Sequence, residues 1–147
     1  MRRADGLLRA MAWVYTAGFA FVVTVTHLSI FNDAEGRSFG LFQIDVRDDF
    51  VHILSAIAGF AVAASGRWII PYFRAVALLY GLDAIVGLLT KQGLLDLTVF
   101  TTPWAPPDFG FTNIAVNLPH IVIVAVAIAV LMRARQLGAN AYSPASA

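Results

Sequence analysis

The sequence contains no cysteine and little charge. The absence of cysteine from its 147 residues excludes disulfides, thiolate metal sites, iron–sulfur clusters and cysteine nucleophiles. Charged residues make up 13% of the chain and hydrophobic residues 59%, against about 25% and 45–50% in soluble domains. This composition indicates a membrane protein, whose first partner is the lipid bilayer.

Signals for two other classes of protein are also missing. The formal net charge is +1, and no basic face is concentrated enough to neutralise phosphates, so a nucleic-acid partner is not expected. The sequence has no glycine-rich phosphate loop, no Ser/His/Asp order and no metalloprotease helix motif. We therefore predict no enzymatic activity and assign no catalytic residue.

Four apolar segments have the length of a membrane span, which needs about 20 residues to cross roughly 30 Å of hydrocarbon. They cover residues 8–30, 50–68, 71–90 and 114–132. The sequence therefore predicts an all-α fold, an integral membrane four-helix bundle that forms a single domain over residues 1–135. The predicted connections are outer loops at 31–49 and 91–113, followed by a disordered cytoplasmic tail at 136–147.

The basic residues orient this bundle. Three of them, Arg37, Arg47 and Lys91, fall on the side of the predicted outer loops, whereas seven fall on the opposite side. These seven are Arg2, Arg3, Arg9, Arg67, Arg74, Arg133 and Arg135. Because cytoplasmic loops carry an excess of lysine and arginine, both termini are predicted to be cytoplasmic.

The chain is built from an internal repeat. Residues 9–15 (RAMAWVY) return sixty-five positions later as residues 74–80 (RAVALLY), and each copy leads to a histidine that opens an apolar run. Each unit contains two spans, so both enter the membrane from the same side. Such parallel repeats are related by an axis along the membrane normal. The pattern predicts two like-facing helical hairpins.

Asp83 is the deepest acid, roughly in the middle of the third predicted span. Ionisable groups in lipid are costly and usually face the bundle interior or a cavity. One interpretation is a proton or cation site, or an anchor for a partner subunit. The other is a protonated or hydrogen-bonded carboxyl that joins helices through Tyr80, Tyr15 or Thr24. The repeat aligns Asp83 with Gly18, so the acid belongs to one half only.

His52 and His120 are predicted to lie at similar depth on different helices. Two such imidazoles could supply both axial ligands of a haem, or bind pigments singly. Asp49 and Asn117 each lie three residues before one of these histidines, where an acceptor for the second ring nitrogen would belong. The alternative is that Asp49 and Asn117 cap their helices and that the histidines form hydrogen bonds across the bundle, with no cofactor.

A metal site is a further hypothesis for the histidines. His27 lies near the outer end of the first span, so His27, His52 and His120 could join Asp49 around zinc or copper. The repeat aligns His27 with Gln92, however, and a solvated histidine at the membrane surface explains the same position.

Two short motifs resemble a small four-span bacterial membrane family, catalogued as domain of unknown function 4383. Residues 40–45 read Gly-Leu-Phe-Gln-Ile-Asp, and residues 49–54 read Asp-Phe-Val-His-Ile-Leu. The family shows a Leu-Phe-x-Val-Asn/Asp turn, an Asn-x-x-His-Leu-Leu helix and a second Asn-x-x-His late in the chain. Asn117 and His120 match the second copy, whereas Asp49 replaces the first asparagine. The resemblance implies the fold, the topology and a bacterial plasma membrane, but no activity.

Three functions therefore stay open at the level of sequence. The preferred one is a non-enzymatic scaffold or accessory subunit that forms a homo-oligomer or joins a larger membrane complex. The second is a haem- or pigment-binding redox protein that uses His52 and His120. The third is movement of protons or small solutes past Asp83.

Overall fold

The computed structural model describes residues 2–141, and the side chains of residues 6–138. Its helices are α1 (Arg2–Thr26), α2 (Val46–Ser65), α3 (Ile69–Thr90), α4 (Thr98–Thr101) and α5 (Phe111–Ala141), with a 3₁₀ turn at Ser29–Phe31. All except α4 are long and apolar enough to cross a membrane. The predicted all-α class with four membrane-spanning helices is confirmed.

Two long connections, residues 27–45 and 91–110, lie at one end of the bundle, which we call the loop end. The start of α1, the end of α5 and the short turn at residues 66–68 lie at the other, which we call the terminal end. Helix α1 packs mainly on α2, and α3 on α5, so the chain forms two hairpins in sequence order.

The first helix ends at Thr26, four residues before the predicted end of the first span at residue 30. The side-chain amide of Asn32 donates to the carbonyls of Thr26 and Leu28, at 3.0 Å each. The bond to Thr26 satisfies a carbonyl that the last turn of the helix leaves free, so the helix can end there. The sequence pattern missed this end because apolar residues continue past it.

Helix α2 begins at Val46, before the predicted start at residue 50. Asp45 caps it: its side chain accepts from the backbone N–H of Arg47 and Asp48, and the Asp48 side chain accepts from the backbone N–H of Asp45. This capping box satisfies free N–H groups at the start of a helix. The helix ends at Ser65, where Gly66 adopts the left-handed conformation with φ 67°.

Helix α5 is longer than the predicted fourth span in both directions. It starts at Phe111, passes through Pro119 and reaches Ala141. The helix thus includes residues 136–141, which the sequence predicts as the first part of a disordered tail. The rest of the predicted tail, residues 142–147, lies outside the described residues.

Aromatic side chains fill the centre of the bundle. Tyr15 lies edge-on to Phe73, with ring centroids 5.1 Å apart, and Phe19 stacks on Tyr80 at 5.2 Å. The outward-facing side chains are apolar as well: Phe21, Ile57 and Leu78 are each more than half exposed. Such a surface suits hydrocarbon as the surrounding solvent.

At the terminal end, Arg9 links α1 to α2, the two helices of the first hairpin. Its guanidinium donates to the carbonyls of Ala63 and Ala64, the latter at 2.7 Å. These carbonyls belong to the last turn of α2, where a cation also meets the negative end of the helix dipole. Arg74, its counterpart in the repeat, instead lines a cleft with Leu131 and Arg135 of α5.

Candidate functional site

Asp83 has three hydrogen-bonding partners inside the bundle. Its Oδ2 lies 2.7 Å from Nδ1 of His120, and its Oδ1 accepts from the backbone N–H groups of Leu94 and Leu95 at 2.7 and 2.8 Å. The carboxylate is almost fully buried, with 4% of its surface exposed. It therefore ties α3 both to α5 and to the connection that follows α3.

The partners of Asp83 differ from the sequence interpretation. Asp83 lies seven residues before the end of α3, about 10 Å from the loop end of that helix. Its hydrogen bonds go to none of Tyr80, Tyr15 and Thr24. The partners at Leu94 and Leu95 are backbone groups, so no side-chain pattern in the sequence predicts these hydrogen bonds.

The structure brings His52 and His120 together, with ring centroids 6.5 Å apart. Nδ1 of His52 lies 2.8 Å from the carbonyl oxygen of Asp48, one turn earlier on α2. The two histidines are thus oriented by different acceptors. In the second hairpin Asp83 supplies a carboxylate, whereas the first hairpin has Gly18 at the equivalent position and offers only a backbone carbonyl.

Aromatic rings pack against the interior side of the histidine pair. The Tyr80 ring lies 5.4 Å from that of His120 and 6.5 Å from that of His52, and Phe19 lies 6.0 Å from His52. The Tyr80 hydroxyl forms a 2.8 Å hydrogen bond with Ser55. Tyr80 was predicted only as a partner of Asp83, one turn away on α3, and its contact with both histidines depends on how the hairpins meet.

The opposite side of the histidine pair borders a cavity of about 480 Å³. Both imidazoles line it, together with Asp48, Lys91, Gln43 and Ser38. Because Nδ1 is engaged in both rings, Nε2 is the nitrogen that each histidine has left for a ligand. The cavity joins an apolar groove of about 610 Å³ between α1 and α5.

Neither Asp49 nor Asn117 forms a hydrogen bond with the histidine three residues after it. Asp49 accepts a 3.0 Å hydrogen bond from the hydroxyl of Thr26, which ties α2 to the end of α1. Asn117 donates to the backbone carbonyl of Asn113 at 2.8 Å. Its side chain also packs on Gly87 of α3, where an added Cβ atom would collide with Oδ1 of Asn117. Both residues therefore serve helix packing, because each carboxamide or carboxylate faces a neighbouring helix rather than the ring that follows it.

His27 lies apart from the other two histidines. Its side chain is 68% exposed, and its Nε2 lies 3.7 Å from Asp49. Within residues 6–138, no group of three or more His, Cys, Asp or Glu side chains is arranged to hold a metal ion. The predicted cluster of His27, His52, His120 and Asp49 does not form, because His27 sits beyond the end of α1 while the other two histidines face the interior.

Ion pairs fix the two long connections outside the spans. The backbone N–H and guanidinium of Arg37 lower the pKa of Asp33. Lys91, together with the backbone N–H of Gly110, lowers the pKa of Asp108, whose carboxylate lies 2.7 Å from the lysine ammonium. Residues 27–45 and 91–110 are thus held by local hydrogen bonds and charges rather than by apolar packing alone.

A family model described as domain of unknown function DUF4383 matches residues 6–102. The chain belongs to this family. The matched range contains the motif around His52 and also Asp83, but ends before Asn117 and His120. No curated protein and no solved structure matches the chain. The family membership and the four apolar helices describe a small multi-pass membrane protein of unknown function.

Proposed function

We propose that this protein is a non-enzymatic accessory subunit or scaffold, which presents an ordered surface at its loop end to a partner in the membrane. The observation that carries this proposal is the use of Asp83. The most deeply placed acid of the described residues holds α5 through His120 and the following connection through Leu94 and Leu95. Its hydrogen bonds therefore stabilise the conformation of the chain at the loop end.

The surface at the loop end supports this role. Large apolar side chains are exposed there: Phe100, Trp104 and Phe109 each have about two thirds or more of their surface accessible. The backbone beneath them is fixed, since the Trp104 indole donates to the carbonyl of Val99 at 2.7 Å. Aromatic residues are enriched at protein interfaces, and a preordered surface loses little entropy when a partner binds.

The proposal includes an orientation and a location. Arg9, Arg67, Arg74, Arg133 and Arg135 lie on the terminal side of the four helices, and the positive-inside rule assigns that side to the cytoplasm. The loop end would then face the outside of a bacterial plasma membrane. The partner would be a second copy of this chain or a larger membrane complex that exposes a surface at the same height above the membrane as the loop end.

Site-specific photocrosslinking in intact membranes tests the partner. A photoreactive phenylalanine analogue at Phe109 should give an adduct of one defined mass, because that ring is exposed on the proposed surface. The same analogue at Leu79, midway along α3 and exposed on the outside of the bundle, is the matched control. Lipid-only adducts at Phe109, or the same protein adduct from Leu79, would contradict the proposal.

Haem or pigment binding by His52 and His120 has one feature in its favour, namely the two Nε2 atoms left for a ligand. A haem held by both rings would have to insert its macrocycle between them. Tyr80 and Phe19 pack against the interior side of the histidine pair, so the macrocycle would have to fit beside these rings, and we keep this function as the second candidate. An absorption band of the purified protein that disappears in His52→Ala would reverse this preference.

Movement of protons or solutes past Asp83 has less support still. The carboxylate is fixed by three donors, one on α5 and two on the backbone of the loop. A transport site must change its partners during a cycle, which such an arrangement opposes. Proton flux into liposomes that is abolished by Asp83→Asn would establish transport instead.

A further inference from the structure

The cavity beside the two histidines and the groove between α1 and α5 form one continuous site. Five residues line both: Val22, Leu41, Phe42, Pro119 and Ile123. The groove extends along α1 from Val14, and the cavity reaches Val25 of the same helix. These residues are eleven positions apart, or about 16 Å along the axis. The combined site thus runs from the hydrocarbon depth of the bundle to its loop end.

The two parts of the site differ in chemistry. The groove is lined by apolar side chains and is open to the side, since Val14, Leu118 and Val122 are each at least half exposed. The cavity ends under the connection at residues 38–44 and carries the polar groups of His52, His120, Gln43 and Asp48. An amphiphile could place its chain in the groove and its head in the cavity.

The charges around the cavity select the kind of head group. Lys91 lies 2.7 Å from Asp108, and Nδ1 of His120 lies 2.7 Å from Asp83, so the lysine and the nearer ring nitrogen each already have an acidic partner. Asp48 adds a carboxylate to the lining. An anionic head would therefore be repelled by Asp48 without gaining a free cation. A neutral head with hydroxyl groups can donate hydrogen bonds to the Nε2 atoms of both histidines, because Nδ1 carries the proton in each ring.

We propose that this site binds a neutral lipid with one apolar chain and a head of hydroxyl and ester groups, of which a monoacylglycerol is the simplest example. The chain would lie between α1 and α5, at the depth of Gly18 and Val122. The head would lie beside His52 and His120, beneath the loop at residues 38–44. This inference is independent of the partner proposed above, because the site opens between helices rather than onto the exposed aromatic surface.

Photolabelling of the full chain in phosphatidylcholine nanodiscs tests the site. The probe is a monoacylglycerol with a diazirine in its chain, and the labelled positions are mapped by mass spectrometry. We expect labelling concentrated on residues 14–22 and 118–126, and reduced at least fivefold by excess 1-oleoylglycerol. The same excess of oleate should reduce it less than twofold, because oleate has a similar chain and an anionic head.

Two matched variants test the position of the chain. Gly18 lines the groove, and an added Cβ meets no atom within 4 Å, so Gly18→Phe fills the groove without a backbone clash. It should reduce labelling at least threefold. Ala17→Phe places the same ring at the same depth on an exposed position next to it, and should leave labelling unchanged.

Three results would overturn the proposal. Labelling spread evenly over the lipid-facing sides of α2 and α3 would indicate only bulk lipid contact. Equal competition by oleate would show that the head group is not selected. Equal labelling of Gly18→Phe and Ala17→Phe would place the chain elsewhere. The competition measurements use the unmodified protein, so they decide the matter even if either variant folds poorly.

Discussion

Asp83 shows how a single buried carboxylate can be accommodated inside a helical bundle. An ionisable group at this depth is costly unless its oxygens find donors. His120 supplies one, and the chain turns back after α3 so that two backbone N–H groups supply the others. The requirement of one side chain therefore fixes the first part of the connection that follows α3.

We predict that Asp83→Ala lowers the free energy of unfolding by about 3 kcal/mol, because it leaves buried donors without an acceptor. Asp83→Asn should cost less, since its amide oxygen can still accept from Leu94 and Leu95. Chemical unfolding in detergent measures both. The double variant Asp83→Ala/His120→Ala should cost less than the sum of the single variants. Additive losses would mean that the two side chains do not interact.

Gly87 is a second residue whose identity is dictated by one contact. A Cβ there would collide with Oδ1 of Asn117 and lie 3.0 Å from its Cγ. We expect Gly87→Ala to cost about 1–3 kcal/mol of stability, since either the Asn117 side chain must shift away from its hydrogen bond to Asn113 or α3 and α5 must move apart. Gly81→Ala is the matched control on the same helix, because its Cβ would meet Val124 at an ordinary 3.7 Å. Equal thermal stabilities of the two variants would contradict this packing.

At the scale of elements, the two hairpins of the repeat are not equivalent at the terminal end. Arg9 reaches the last turn of α2, which stops at Ser65 and leaves carbonyls free. Arg74 meets α5 near Leu131, ten residues before that helix ends at Ala141. The carbonyls there accept hydrogen bonds within the helix, so no free carbonyl is left to accept from Arg74.

We therefore predict different effects of removing the two arginines. Arg9→Ala should lower the free energy of unfolding by about 1 kcal/mol and increase hydrogen exchange in the last turn of α2, because a capping interaction is lost. Arg74→Ala should leave the exchange of both α2 and α5 close to that of the unmodified chain. If Arg74→Ala frays α5 as much as Arg9→Ala frays α2, the proposed asymmetry is wrong.

At the scale of the whole molecule, the absence of cysteine makes the proposed orientation directly measurable. Any introduced cysteine is the sole thiol of the chain. Ala34 is exposed at the loop end and Gln136 at the terminal end. In intact cells, a membrane-impermeant maleimide should label Ala34→Cys, and should label Gln136→Cys only after permeabilisation. The reverse labelling pattern would show that the topology is the opposite of the one proposed.

Much of this architecture could be predicted from the sequence because the bilayer imposes simple rules. A helix must be about 20 apolar residues long to satisfy its backbone in hydrocarbon, so the composition determined four membrane-spanning helices. The repeat indicated two like-facing hairpins, with His52 and His120 in equivalent places. The ends of the helices were harder to predict from the sequence, since they depend on single hydrogen bonds such as those of Asn32 and Asp45.

The candidate site depended on the tertiary structure. The sequence singled out Asp83, His52 and His120, but not the bond between Asp83 and His120 or the N–H groups that complete it. Those contacts join residues distant in the chain, and two of the donors are backbone groups that any residue type would carry. The cavity exists for the same reason: it is bounded by α1, α5 and a loop that meet only when the hairpins pack. Residue type determined which segments enter the membrane, and packing between them decided what their polar groups face.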